Sequence, residues 1–372
     1  MLLFKTFHLH YLSMPLKHPF KTANDTIETK PTLILESIHP HHRIFSECVA
    51  LPYPGYNPET LQIAANTLSS LVLPQCVNKS FTHPSDVKPF LDTLLPKAPL
   101  AKACIEMAYW ALAAEQHNQS LAHYIGGIHT SIPIGVSIGI KPTINTLIET
   151  VLQKQQEGYQ RIKIKITPNT TLKQLMQLQN TTQTPKTISL DANGSFNTSH
   201  LNQLKTIDSL NFMMIEQPYP KDAWHKHATL QTQINTPICL DESIDNLASA
   251  QQMITQKSGQ IITLKPGCVG GFNESIQIHH LCKTHRIPLW CGGMLETGIG
   301  RAYNVALASL PQMTLPHDIS PSAHYWDTDI CNPEWVMTPH GTIEVPLNKP
   351  GIGVIINEQQ LQKTTIKTEL IS

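Results

Sequence analysis

The sequence predicts a (β/α)7β-type, TIM-like barrel carrying an α+β capping domain at its amino-terminal end. Three observations point there. From about residue 132, seven short apolar runs alternate with helix-forming stretches, and serial strand–helix units imply a parallel sheet. No glycine-rich dinucleotide loop follows any of the seven, which favours a closed barrel over an open doubly wound sheet. The first 50 residues are instead a series of strand-like runs followed by helices, a different texture and hence a second domain.

The elements follow in chain order. "FKTFHLHYL", "PTLILESI" and "RIFSECVA" read as strands separated by turn residues. "HPHH" at 39–42 lies between two of them and reads as a solvated hairpin turn, since nothing nearby completes a metal site. Helical segments are expected near 58–75, 86–95 and 98–116. The last is apolar nearly all round and should be buried. In the barrel, "IPIGVSIGI" is a strand and "TINTLIETVLQKQQEG" an amphipathic helix with Leu147, Val151 and Leu152 inward, closed by Gly158. "YQRIKIKIT", "TISLDANGS", "MMIEQPYP", "PICLDES", "GQIITLKPG" and "PLWCGGML" continue the series. The expected boundaries are 1–128 for the cap, 129–325 for the barrel, and 326–372 for a β-like segment returning to the cap.

Composition narrows the function classes. Lysine plus arginine (27) equals aspartate plus glutamate (27), so no basic stripe suggests a nucleic-acid partner. No apolar run reaches the roughly 18 residues of a membrane span. The eight cysteines are scattered without a CxxC pair, as expected of reduced thiols. The opening stretch is broken by Lys5, His8 and His10, unlike a signal peptide. A cytoplasmic enzyme acting on a small molecule is the expectation, with homo-oligomerisation left open.

"RIKIKI", residues 161–166, places three isoleucines on one side of a strand and Arg161, Lys163 and Lys165 on the other. Alternation of this kind ordinarily means one solvated face. The polar residues at the carboxyl ends of the following strands argue otherwise. Lys165, Asp191, Glu216, Asp241 and Lys265 follow one another at intervals of 26, 25, 25 and 24 residues, one β/α unit each. Equal spacing puts them at one height on neighbouring strands, on the barrel face where active sites lie. Three carboxylates so confined repel unless a cation neutralises them, and an all-oxygen donor set suits Mg²⁺. On this reading the cations of "RIKIKI" face inward. A divalent cation nearby should depress the pKa values of Lys165 and Lys265, suiting them to act as bases.

"KIK", "DANGS", "IEQP", "CLDES", "LKPG" and "GGMLETGIGRA", with "PFKTAND" and "SECVA" upstream, resemble the enolase superfamily in its muconate-lactonising-enzyme-like branch. The best match is to the group of o-succinylbenzoate synthases that includes N-acylamino acid racemases. The superfamily's established strategy is a Lys or His base with Mg²⁺ stabilising an enediolate. The resemblance implies Asp191, Glu216 and Asp241 as ligands of Mg²⁺ (or Mn²⁺), Lys165 as the base removing a proton α to a carboxylate, and Lys265 opposite it. Lys163 would touch the substrate carboxylate, Asn193 and Glu242 would support the ligands, and Ser137, Gly293 and Met294 would line the pocket. Phe20 to Asn24 and Leu51 to Tyr56, with Phe20 and Tyr53 foremost, would form a lid. The implied reaction is dehydration of 2-succinyl-6-hydroxy-2,4-cyclohexadiene-1-carboxylate to o-succinylbenzoate, in menaquinone biosynthesis. Racemisation of N-succinylamino acids, or dipeptide epimerisation, is the alternative.

Four positions depart from the family pattern: Ala111, Ser46, Tyr303 and Cys268. The first three read as structural. Cys268 stands three residues after Lys265, where racemase-capable relatives tend to carry arginine. A neutral thiol there leaves Lys265 protonated, which favours dehydration over two-base racemisation.

Overall fold

The structure, a computed structural model, describes residues 1–21, 26–182 and 185–372. Strands β1 (Thr6–Lys21), β2 (Thr26–Ile38) and β3 (Arg43–Cys48) form an antiparallel meander, longer than the apolar runs alone suggest. Phe7 and Leu9 are buried on β1, then Leu12 and Met14; the inward set changes from odd to even positions where the pairing of β1 shifts between Tyr11 and Leu12. The "HPHH" turn closes on reciprocal backbone bonds between His39 and His42. The helix Pro99–Gln116 is buried continuously from Leu100 to Ala114, as its all-round apolarity requires, and packs between β3 and the barrel turn Pro266–Val269.

Seven parallel strands then follow in unbroken order: β4 (Gly135–Ile138), β5 (Arg161–Lys165), β6 (Ile188–Asp191), β7 (Ile215–Glu216), β8 (Ile238–Leu240), β9 (Ile261–Leu264) and β10 (Leu289–Cys291). Residues 312–318 supply an irregular eighth staff. Asp318 N donates to Cys291 O on one side, and Gly135 N donates to His317 O on the other, which closes the barrel. The isoleucines of "RIKIKI" are buried against the surrounding helices, while Arg161 and Lys163 are buried on the opposite, inner face, so the strand has no solvated side.

The carboxyl-terminal stretch divides. Thr342–Glu344 pairs with Ser131–Pro133 just ahead of β4, Ile355–Ile356 pairs with Cys331–Asn332, and β11 (Thr365–Ile371) joins the first sheet beside β1. Among the described residues no helix is long and apolar enough to cross a membrane. All eight cysteines are buried free thiols.

Candidate active site

A cavity of about 390 Å³ opens at the carboxyl ends of the barrel strands, beneath residues 51–56 of the cap. Its walls include Tyr53, Ser137, Lys163, Lys165, Asp191, Asn193, Asp241, Glu242, Lys265, Gly293 and Met294. Glu216 lies under this floor, fully buried. The side chains of Phe20 and Lys21 and residues 22–24 of the anticipated lid lie outside the described residues.

The strand register builds the polar floor. Lys165 and Asp191 are paired across β5 and β6, and Asp191 and Glu216 across β6 and β7, so the side chains converge. Lys165 Nζ donates to Asp191 Oδ2 and Asn193 Oδ1, both at 2.6 Å, and Asn193 Nδ2 passes the contact on to Glu242 Oε1 at 2.8 Å. Across the floor, Lys265 Nζ lies 2.8 Å from Asp241 Oδ2. The two lysines therefore approach the carboxylates from opposite sides of the barrel mouth.

Backbone strain sits where the carboxylates are. Asn193 and Gln217, each just past an acidic strand end, both have φ of 41°. Left-handed non-glycine residues persist only where surrounding contacts over-determine them. Gln217 shows how: its Oε1 accepts from Asp241 N at 3.0 Å and Ser243 N at 3.2 Å, while its Nε2 donates to Ser243 Oγ and Tyr219 O. It thereby fixes the start of the loop that presents Asp241. Gly292 allows a close approach of another kind, since a Cβ there would stand 2.6 Å from Lys265 Cε.

Electrostatics follow from burial and proximity. Burial and the neighbouring Asp191 push the Glu216 carboxyl up to about 8, and burial with Asp241 pushes Glu242 up to about 7. Burial acts the same way on Asp191, but Lys165 and Lys163 outweigh it and hold that carboxyl down at about 2. Among the described residues nothing donates a hydrogen bond to Glu216 Oε2, 3.3 Å from Lys163 Nζ, or to Glu242 Oε2. Orphaned oxygens on a buried, mutually repelling carboxylate set are what a hard divalent cation would satisfy, so the donors fit such an ion.

Two of the lysines are held by acidic partners of their own. Burial would depress Lys265, yet Asp241 outweighs it and holds the ammonium above its ordinary value; Lys163 is likewise raised, by Asp318, Glu216 and Asp191 against burial. The depression expected of Lys165 and Lys265 depends on the charge of a bound divalent cation, which these ion pairs do not include; Lys163 and Lys265 each have an acidic partner at 2.8 Å. Burial pushes the Cys268 thiol up to about 12, so it is neutral beside Lys265. The other departures are structural: the Tyr303 hydroxyl donates to Phe45 O, Ser46 Oγ meets Cys104 Sγ at 3.6 Å, and Ala111 is buried in its helix.

At the floor, Asp318 is absent from the sequence reading, and Tyr56 enters it only as the end of the lid stretch Leu51 to Tyr56. Asp318 bonds Lys163 Nζ at 2.8 Å, Arg161 at 2.5 Å and Ser137 Oγ at 3.1 Å. The β/α interval carried two steps beyond Lys265, through Cys291, reaches it. Tyr56 donates to Asp241 Oδ1 at 2.7 Å, and its ring lies 4.0 Å below Lys265 Nζ. It reaches both from the cap, and no periodicity marks it.

Comparison with known proteins places these observations. Residues 7–126 match the mandelate racemase / muconate lactonizing enzyme N-terminal domain, and residues 146–360 match the enolase C-terminal domain-like family. An o-succinylbenzoate synthase of Bacillus subtilis (strain 168) is 40% identical, covering 98% of this chain and 97% of its own. An N-succinylamino acid racemase of an Amycolatopsis species is 36% identical, covering 96% of each. The crystal structure of an enolase-superfamily member from Listeria innocua superposes with a TM-score of 0.94 at 34% identity, over 100% of this chain and 99% of that one.

Proposed function

The chain belongs to the mandelate racemase / muconate lactonizing enzyme family of the enolase superfamily, and from that premise we propose that it is a Mg²⁺-dependent o-succinylbenzoate synthase. Curated relatives at 32–40% identity over nearly the whole chain carry that name. Asp191, Glu216 and Asp241 would hold the ion, with Mn²⁺ able to substitute. Bound there, Mg²⁺ supplies Lewis-acid stabilisation of the charge that develops on the substrate carboxylate.

The chain's own groups do the rest. Lys165 Nζ takes the proton α to the carboxylate and returns it to the β-hydroxyl, which leaves as water from the same face while the ring becomes aromatic. Asn193 and Asp191 orient that amine. Lys265, held as an ammonium by Asp241, stabilises negative charge from the other side. Lys163 offers its charge to the substrate carboxylate, and residues 51–56 of a cap spanning 1–128 exclude water. The reading sets the reaction in the cytoplasm, in menaquinone synthesis.

The observation favouring dehydration is the neutral, buried Cys268 beside Lys265. Racemisation requires both lysines to exchange protons, whereas syn dehydration needs only Lys165. The racemase is the second reading, carried by the presence of Lys265 opposite Lys165 and by the Amycolatopsis relative. Purified protein should convert the cyclohexadiene substrate to o-succinylbenzoate rapidly in Mg²⁺ buffer. In D₂O, N-succinylamino acids should exchange mainly from the enantiomer that presents its proton to Lys165. Fast, equal exchange from both enantiomers would reverse the assignment in favour of the racemase.

A further inference from the structure

On the face of the first sheet opposite its core, His8, His10 and Glu36 form a cluster that the proposed chemistry does not use. His8 and His10 stand two apart on β1, so both rings project from one face, and His8 sits directly across from Glu36 on β2. His8 Nδ1 and His10 Nε2 each lie 3.0 Å from the same atom, Glu36 Oε2. All three candidate ligand atoms fall within 4.8 Å of one another. The groups behind them are also in place. His10 Nδ1 lies 3.0 Å from Thr368 Oγ1 on β11, and Arg43 Nε donates to the other Glu36 oxygen at 2.6 Å.

We propose that these three residues bind a borderline divalent transition ion of the Zn²⁺ type, at a site separate from the barrel. Two imidazole nitrogens and one carboxylate oxygen are the donors such an ion selects, whereas Mg²⁺ takes oxygen alone. The outer contacts match what metal-bound groups require: the far nitrogen of His10 is held by a hydroxyl and the far oxygen of Glu36 by a guanidinium, which fixes the tautomer and the carboxylate plane. Ligands about 2.0–2.1 Å from a tetrahedral ion stand roughly 3.3 Å apart, so the present 3.0 Å separations need to open by only a few tenths of an ångström. His8, with 35% of its side chain exposed, has room to make that adjustment and leaves an entry path. The ion would tie β1 to β2 beside the strand that β11 adds.

The test is calorimetric titration of the full-length protein with Zn²⁺ in saturating Mg²⁺, which keeps the barrel carboxylates engaged. Wild type should bind one Zn²⁺ more than His10→Ala or Glu36→Gln, with circular dichroism confirming that both variants are folded. Thr368→Val should keep the stoichiometry and weaken binding by about 10- to 100-fold. Co²⁺ used as a spectroscopic probe should give intense visible absorption in wild type that is absent from His10→Ala. Mg²⁺-supported turnover should be the same in all of them. Equal Zn²⁺ stoichiometry and affinity in wild type and both ligand variants, or a Co²⁺ spectrum unchanged by His10→Ala, would overturn the proposal.

Discussion

Lys165 and Lys265 have the same side chain, and the opposite roles proposed for them rest on their different surroundings. Lys165 is shared between Asp191 and Asn193 at the rim, with about a quarter of its side chain exposed, whereas Lys265 is buried against Asp241 and Tyr56. Lys165→Ala should lower turnover by at least the roughly hundredfold attached to a lost general acid–base group. Lys265→Arg should keep measurable dehydration, since it preserves charge but not a transferable proton; steady-state assay of the two variants checks both. If Lys265→Arg binds substrate normally yet removes no α-proton, the roles are the reverse of those assigned. The ligand role is tested by Asp241→Asn, which should abolish activity in a folded protein, as should chelation of the wild type. Full turnover in metal-free buffer would refute the whole carboxylate assignment.

Strand ends carried most of what the sequence could tell. Lys165, Asp191, Glu216, Asp241 and Lys265 were legible because each ends a regular strand or directly follows one, and one β/α unit sets their separation. Asp318 was not, because the eighth staff is irregular: "PHDIS" has neither apolar alternation nor a long run, and its pairing is a few isolated bridges. Tyr56 was legible only as the end of a lid stretch, because its contact with Asp241 crosses between cap and barrel, and local pattern holds no record of that distance. Gln217 lay inside the quoted "IEQP", but its work on Asp241 N and Ser243 N is visible only once β7 and β8 are neighbours. Gln217→Leu should leave those two buried amides unpaired, at about 1–3 kcal/mol each, and lower metal affinity as Asp241 shifts. Denaturant unfolding and Mg²⁺ activation curves measure the two effects separately.

The cap and the barrel are joined by buried carboxylates. Glu47 accepts from Thr297 N and Gly300 N, and Glu106 accepts from Phe272 N at 2.7 Å and Asn273 N at 2.9 Å, capping a barrel helix from within a cap helix. Burial pushes Glu106 up to about 7 despite these amides and the Trp110 indole N–H. A carboxyl raised in the folded state binds its proton more tightly there than when unfolded. Its contribution to stability is therefore complete below about 4.5 and lost as pH rises toward about 7. Glu106→Gln should flatten the wild-type decline across that window, as read by unfolding midpoints at several pH values. An unchanged slope would show that Glu106 does not titrate there.

One feature of the first sheet bears on how the molecule is made. β1 is an inner strand, flanked by β2 and by β11, yet β11 begins at Thr365, some 340 residues after β1 ends. At about 5–20 residues per second, a ribosome leaves one side of β1 without its hydrogen-bonding partner for roughly 17 to 70 s. Throughout that interval an open strand edge is available to any neighbouring nascent chain. His8 and His10 on β1, with Lys5 just ahead of it, interrupt its apolar run, which makes it a poor template for a second copy. The final seven-residue strand thus acts as a late-arriving latch, and the yield of soluble protein in the cell should depend on whether it is delivered before a competitor finds the gap.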